Sequence, residues 1–413
     1  MKNILWISPY APYDSIPHAG GQIENFYLKY LFNNYKDGKL CLISECMKDE
    51  LDKVQESLSG IDSKILVPKK DVKSKILRMF RYNLLESKYS PFNKYGNYLS
   101  NELMSWILLQ CKELKKSGYS PAVIILQWTQ CVVLITKIKN IFPMAKYICI
   151  EEDVAYLNLK RNVELKQNPI NCFCAKMRYL NLKKSELKAV NSSDIVICNN
   201  QKDKALLIDE NISSEKIYVW CPYYRNSSFK NIYNVYAANS REGLRVIYYG
   251  AMFRKENYWS AEWLIKNVLP IIKDTDISIY IIGSKPVQEL KEMENEKVHI
   301  VGFVDDINEY FSNCICMAAP LVLGAGIKIK ILEAMALGVP TLTNEIGIEG
   351  IPAQNEKDYL FCDSAQSYAD NIRKLVSDIE LRKLLSVNSV NFVKENFNID
   401  KSAETFVNLV KML

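Results

Sequence analysis

The chain has 413 residues, 48% of them hydrophobic and 24% charged, with a net charge of +6. That length makes two large domains or about three of ~150 residues, and the composition excludes wholesale disorder, a collagen-like repeat and a small disulfide scaffold. Lys and Arg are scattered rather than striped, so the mild positive charge suits an anionic ligand or a membrane surface and gives no sign of nucleic-acid binding.

Taken in chain order, short β-branched runs alternate with helical patterns. The first half predicts buried strands at 3–8, 39–44, 64–67, 122–127, 146–150, 194–198 and 216–220. The second half predicts them at 244–249, 277–282, 298–301, 314–319, 339–343 and 359–362. Amphipathic segments such as 24–34 and 262–272 lie between them. Strands apolar on both sides, alternating with helices, imply parallel sheets covered on both faces. The pattern starts over near residue 244, after a polar, aromatic-rich stretch at 223–243 that reads as a linker. The expected fold class is α/β, with two doubly wound, Rossmann-like domains at 1–222 and 244–395 facing each other across a cleft. Ligands in such folds gather at the carboxyl ends of the strands.

Residues 69–120 fit this scheme least well. KKDVKSKILRMFRY is a basic amphipathic helix candidate. It is either a solvated insertion in the first domain or a surface that touches anionic lipid. The longest apolar stretch, 121–136, is broken by Gln127, Thr129 and Gln130 and is too short to span a bilayer. Twelve cysteines include no C-x-x-C pair. They read as reduced, mostly buried thiols of a cytoplasmic protein. The N-terminus, MKNILWISPY, lacks the length and cleavage site of a signal peptide. Any membrane contact is expected to be peripheral, at the inner face.

The richest stretch is PLVLGAGIKIKILEAMALGVPTLTNEIGIEG, residues 320–350. A strand precedes it. Gly324, Ala325, Gly326 and Ile327 form a loop that feeds a helix, which Gly338 ends. Free N–H groups at such a helix start make a ready phosphate site. Lys328 and Lys330 follow at once, and either reaches the same phosphate as a point charge. Glu333, three residues after Lys330, shares its face and can accept two hydroxyl hydrogen bonds, as from a ribose.

This segment resembles the donor-binding signature of glycosyltransferase family 4, the "group 1" retaining enzymes of the GT-B fold. VIYYGAMFRKENYWSAEWLIKNVLPIIK resembles the opening unit of that family's second domain, with Gly250 at the end of its strand. IYIIGSKP and VHIVGFVDDINEYF resemble the next two units, with Gly283, Gly302 and Asp306 in the usual places. ISPYAPYDSIPHAGGQIENFYLKYL resembles the N-terminal loop with its paired glycines, Gly20 and Gly21, and SSDIVICNNQKDKALL resembles the last strand and turn of the first domain. The resemblance implies an acceptor-binding first domain, a donor-binding second domain, and a final helix at 396–413 that packs back on the first. It implies Arg254 or Lys255 as the basic residue that grips the donor diphosphate. Lys330 corresponds to the family's lysine, and Glu333 to the glutamate that binds the donor ribose. The family's other glutamate would fall at Ala325 and is absent, which leaves backbone N–H groups at 324–327 to meet the transferred sugar.

The implied reaction moves a sugar from a nucleotide-diphosphate sugar to a glycan or lipid-linked acceptor in cell-surface polysaccharide biosynthesis. Its transition state places negative charge on the departing phosphate. Fixed cations and a helix dipole aimed there are each worth ~2–4 kcal/mol. No metal or cofactor is expected, since no aspartate cluster is arranged to hold one. His18 is a further catalytic candidate, in the loop beside Gly20 and Gly21. Glu152 and Asp153, at the end of a first-domain strand, either orient acceptor hydroxyls, act as a base, or sit at a helix start where the dipole favours them. The rival reading is a GT-B protein without turnover, which binds nucleotide-sugar and serves as a partner subunit. An epimerase of the same fold is a third, less favoured reading, because no acid–base pair flanks the sugar site.

Overall fold

The computed structural model describes residues 2–14, 16, 19–67, 101–164, 169–220, 232–235, 244–273, 275–324 and 327–413. His18, Ala325, Gly326, the basic segment up to residue 100 and most of the linker lie outside the described residues. The chain divides into two units. One is Met1–Tyr224 with Ile399–Leu413, and the other is Arg225–Asn398.

In the first unit, seven strands form one parallel sheet. They are β1 (Asn3–Ile7), β2 (Leu40–Glu45), β3 (Asp62–Leu66), β4 (Pro121–Gln127), β5 (Lys146–Glu151), β6 (Ile195–Cys198) and β7 (Ile217–Val219). Their order is β3-β2-β1-β4-β5-β6-β7. Alternate residues of each strand feed the two faces. Leu5, Ile7, Ile124, Leu126 and Cys149 pack on one side against Leu103, Ile107 and Cys111. Ile4, Trp6, Val123, Ile125 and Ile148 pack on the other against Leu28, Leu31, Phe406 and Val410. The C-terminal helix Ile399–Met412 therefore completes this unit's core. Phe406 meets Trp6 edge to face at 5.8 Å and Trp220 at 4.8 Å. Each such fully buried side chain contributes about 1.5–3 kcal/mol.

The second unit repeats the plan with β8 (Leu244–Tyr249), β9 (Ile277–Ile282), β10 (Val298–Gly302), β11 (Cys316–Ala319), β12 (Thr341–Thr343) and β13 (Leu360–Phe361). The order is β10-β9-β8-β11-β12-β13, all parallel. Each predicted strand forms, with ends shifted by one or two residues at most. The helical expectation at 262–272 needs correction. The helix starts earlier, at Lys255–Trp263, and passes through a wide turn at Leu264–Val268 before Leu269–Ile272. Pro270 has no N–H to continue the ladder, and the wide turn absorbs that break.

Both sheets reverse their strand order once. The reversal falls between β1 and β4 in the first unit and between β8 and β11 in the second. A crevice opens at the carboxyl ends of such a strand pair, because the two following connections leave on opposite faces.

Candidate active site

In the second unit the loops after β8 and β11 flank this crevice, and they carry the sequence candidates. Helix Ile329–Ala336 starts just after the glycine-rich loop, with Lys328 as its N-cap. It ends where Val339 N–H donates to the Ala334 carbonyl at 2.9 Å and Gly338 N–H to Met335 at 3.1 Å. That pair of bonds is a Schellman motif. Helix Lys255–Trp263 starts after β8, with Arg254 as its N-cap. The two helices meet through Lys330. Its Nζ donates to Asn257 Oδ1 at 2.6 Å and to the Tyr248 hydroxyl at 3.1 Å, and lies 4.7 Å over the Tyr248 ring.

Gly250 makes this approach possible. A Cβ at Gly250 would lie 2.9 Å from Lys330 Nζ and 2.9 Å from Asn257 Cγ. The backbone of Gly250 also touches the end of the next strand, since a Cβ at Gly283 would lie 1.7 Å from the Gly250 carbonyl oxygen. Both hydrogen-bond partners of Lys330 are neutral. Burial therefore pushes its amine down to about 7, only partly offset by Glu256, while Arg254 and Lys328 add to the fall. No carboxylate is among the hydrogen-bond partners of the lysine.

The other candidates sit around this centre. Glu333 accepts a hydrogen bond from the Tyr249 hydroxyl. Lys328 Nζ lies 3.6 Å from Glu349. Arg254 pairs with Glu256 at 2.5 Å, and its side chain is 61% exposed. Lys255 sits over the Trp259 ring at 5.5 Å. Arg254 and Lys328 are both close enough to Lys330 to act on its charge. Ile327 is half-buried and Gly302 closes β10. The loop itself is tethered on both sides. Val322 N–H donates to Ser260 Oγ at 3.2 Å, and Asn344 Nδ2 donates to the Leu321 carbonyl at 2.8 Å. Tyr248, Tyr249, Asn257, Ser260 and Asn344 escaped the sequence reading. The tyrosine pair ending an otherwise aliphatic strand was the one available signal.

In the first unit, Gly20 and Gly21 lie in the first turn of helix Ala19–Asn34 rather than in a loop, which corrects the expectation. Gly20 sits against the indole of Trp128, and a Cβ there would lie 2.6 Å from two of its ring carbons. Trp128 follows β4 with φ of 63°. That conformation costs a bulky residue about 1–3 kcal/mol. Its Nε1 donates to Glu24 at 3.3 Å. Glu152 is buried and accepts from Gln127 Nε2 at 2.6 Å and from Asn199 Nδ2 at 2.7 Å. Burial pushes Glu24 up to about 8 and Glu152 up to about 7. Both line a cavity of about 10 Å³ together with Trp6, Gln127 and Asn199. Asp153 is exposed. Glu186 reaches the start of the following helix, where the N–H groups of Ala155 and Tyr156 donate to it at 2.8 and 3.0 Å. Glu186 lies 31 residues away in sequence, beyond the reach of a local motif. Among the described residues, no group of three or more His, Cys, Asp or Glu is placed to hold a metal ion.

Residues 243–378 match the profile of the family "Glycosyl transferases group 1". That stretch of the chain is similar to a glycosyl transferases group 1 domain. The matched stretch holds all the second-unit candidates, from Gly250 to Glu349. A Klebsiella pneumoniae protein described as an uncharacterized 44.6 kDa protein in the cps region is 24% identical over 224 residues. That alignment covers 51% of this chain and 56% of the relative, so the chain spans about half the relative's length. Three solved structures share the fold from end to end. Sucrose-phosphate synthase from Thermosynechococcus elongatus has a TM-score of 0.69 at 14% identity, covering 100% of this chain and 99% of its own. HepE of Anabaena in complex with UDP has a TM-score of 0.65 at 12% identity, covering 100% of both chains. TarM of S. aureus, in a complex that includes UDP and alpha-GlcNAc-glycerol, has a TM-score of 0.64 at 13% identity, covering 99% of this chain and 100% of its own. Each unit has the doubly wound parallel-sheet plan of the GT-B fold.

Proposed function

We propose that the protein is a retaining glycosyltransferase. It moves a sugar from a nucleotide-diphosphate sugar to a glycan or glycolipid acceptor in cell-surface polysaccharide biosynthesis. The observation that carries this reading is Lys330, held by neutral partners beside the side-chain-free Gly250. A buried amine with no carboxylate among its hydrogen-bond partners favours an incoming anion, and the two phosphates of a nucleoside diphosphate supply one. The group 1 match, the cps-region relative and the UDP-bound HepE all support the same reading.

In the proposed reaction the bond between the sugar's anomeric carbon and the β-phosphate oxygen breaks. The acceptor hydroxyl oxygen bonds to the same face of that carbon, and its proton passes to the departing phosphate. Lys330, charged once the diphosphate is beside it, stabilises the oxygen that gains negative charge. Arg254 reaches the same diphosphate from the helix start after β8. Glu333, oriented by Tyr249, receives the ribose hydroxyls. Acceptor selection falls to the first unit.

The test is release of nucleoside diphosphate from a panel of nucleotide-sugars by the purified full chain and by Lys330→Ala. Turnover with at least one sugar, reduced about a hundredfold in the variant, is expected from the loss of one preorganised cation. Binding without turnover across donors and acceptors would favour the partner-subunit reading.

A further inference from the structure

At the crevice between β1 and β4, the first unit carries an aromatic pair that donor chemistry does not use. Trp128 follows β4 directly and Tyr10 lies in the loop after β1. Their rings meet edge to face, 6.3 Å apart at 89°. Tyr10 is 45% exposed and Trp128 is half-buried.

Three independent features hold this indole in place. Its backbone takes a positive φ, which a bulky residue adopts only when the surroundings enforce it. Gly20 leaves the space that the ring edge fills. Buried Glu24 accepts from Nε1. A cavity with about the room of one water is lined by Glu24, Gln127, Glu152 and Asn199. A glycine at 128 would take the same turn without strain, so the backbone alone does not call for an indole there.

A sugar ring has an apolar face of C–H groups and a rim of hydroxyls. Aromatic faces suit the first and carboxylates or amides the second. The site offers both: Tyr10 and Trp128 on either side of the strand reversal, and Asp153, exposed at the end of neighbouring β5. We infer that Tyr10 and Trp128 form the platform on which a sugar ring of the acceptor stacks. The inference rests on the transferase reading and narrows its acceptor to a carbohydrate at the receiving end.

The test is saturation-transfer NMR on the full chain with methyl α- and β-glycosides of glucose, galactose, mannose and N-acetylglucosamine. The variants are Trp128→Gly, which suits the backbone, and Trp128→Phe, which keeps a flat ring. At least one glycoside should show transfer to its ring C–H protons. Its apparent affinity should fall about tenfold in Trp128→Gly and be largely kept in Trp128→Phe. Tyr10→Ala, on the exposed ring, supplies the same comparison if Trp128→Gly does not fold. No transfer from wild type to any glycoside, or transfer from Trp128→Gly and Tyr10→Ala equal to that from wild type, overturns the platform. UDP, GDP and CDP titrated in parallel should bind wild type and variants alike. No nucleotide binding to wild type, with an intact glycoside response, would overturn the transferase reading and leave the platform standing.

Discussion

At the scale of single residues, Lys330 and Glu24 are buried groups whose protonation is displaced in ways that oppose each other. Lys330 has its amine pushed down to about 7 by burial. Between that value and its usual one, near 10.5, the unfolded chain binds more protons than the folded one. Stability from this residue therefore rises with pH across that window. Lys330→Met should be more stable than wild type at pH 6, by about 1–3 kcal/mol, with the difference fading by pH 10. Denaturant midpoints at the two pH values measure it. Glu24, pushed up to about 8 by burial, has the reverse sign. The folded state holds its proton from about pH 4.5 to 8, so its contribution falls as pH rises through that window. Glu24→Gln keeps an acceptor for Trp128 and should gain on wild type by about 1–2 kcal/mol between pH 5 and 8. A constant difference over that range would mean that Glu24 is ionised in the fold.

At the scale of elements, the site is a junction between two helix starts and two strand ends. Gly250→Ala would press a methyl group onto Lys330 Nζ and Asn257. It should weaken nucleoside diphosphate binding about tenfold or more while the thermal midpoint falls only slightly, because both contacts are side-chain ends that can shift. Gly338→Ala is the control. Gly338 has φ of 80° at the end of the same helix, so the variant should lose about 1 kcal/mol of stability with affinity unchanged. The elements themselves were legible in the sequence, because continuous runs such as VIIL, ICI and ISIYII admit little but buried parallel strands. The glycine loop, Lys330 and Glu333 were legible because they are near neighbours in sequence. Asn257, Trp128 and Glu24 were not. The contact of Lys330 with Asn257 spans 73 residues and that of Trp128 with Glu24 spans 104, so no local pattern marks them. The carboxylate that meets Ala155 and Tyr156 N–H comes from Glu186, about thirty residues on, which no local pattern marks either.

At the scale of the whole molecule, the chain closes its first unit with its last helix. Ala403, Phe406, Val407 and Val410 are buried in the same core as Trp6 and Trp220. Removing residues 399–413 should therefore unfold the first unit rather than trim a tail. The loss would show as disappearance of that unit's cooperative transition in calorimetry. The plan of two parallel sheets, each with one strand reversal, puts a ligand crevice in each unit. In the second unit that crevice holds a buried amine with neutral partners, and on this the proposed donor chemistry depends. Calorimetric titration of UDP, GDP and CDP into the full chain at pH 7.5 and pH 9, in buffers of different ionisation enthalpy, tests it most directly, since the diphosphate's own charge is nearly constant over that range. One of the nucleotides should bind with uptake of close to one proton, and its affinity should drop about tenfold between the two pH values. Both effects should vanish in Lys330→Met. Binding with no proton uptake and no loss in Lys330→Met, or no binding of any nucleotide, would contradict the account.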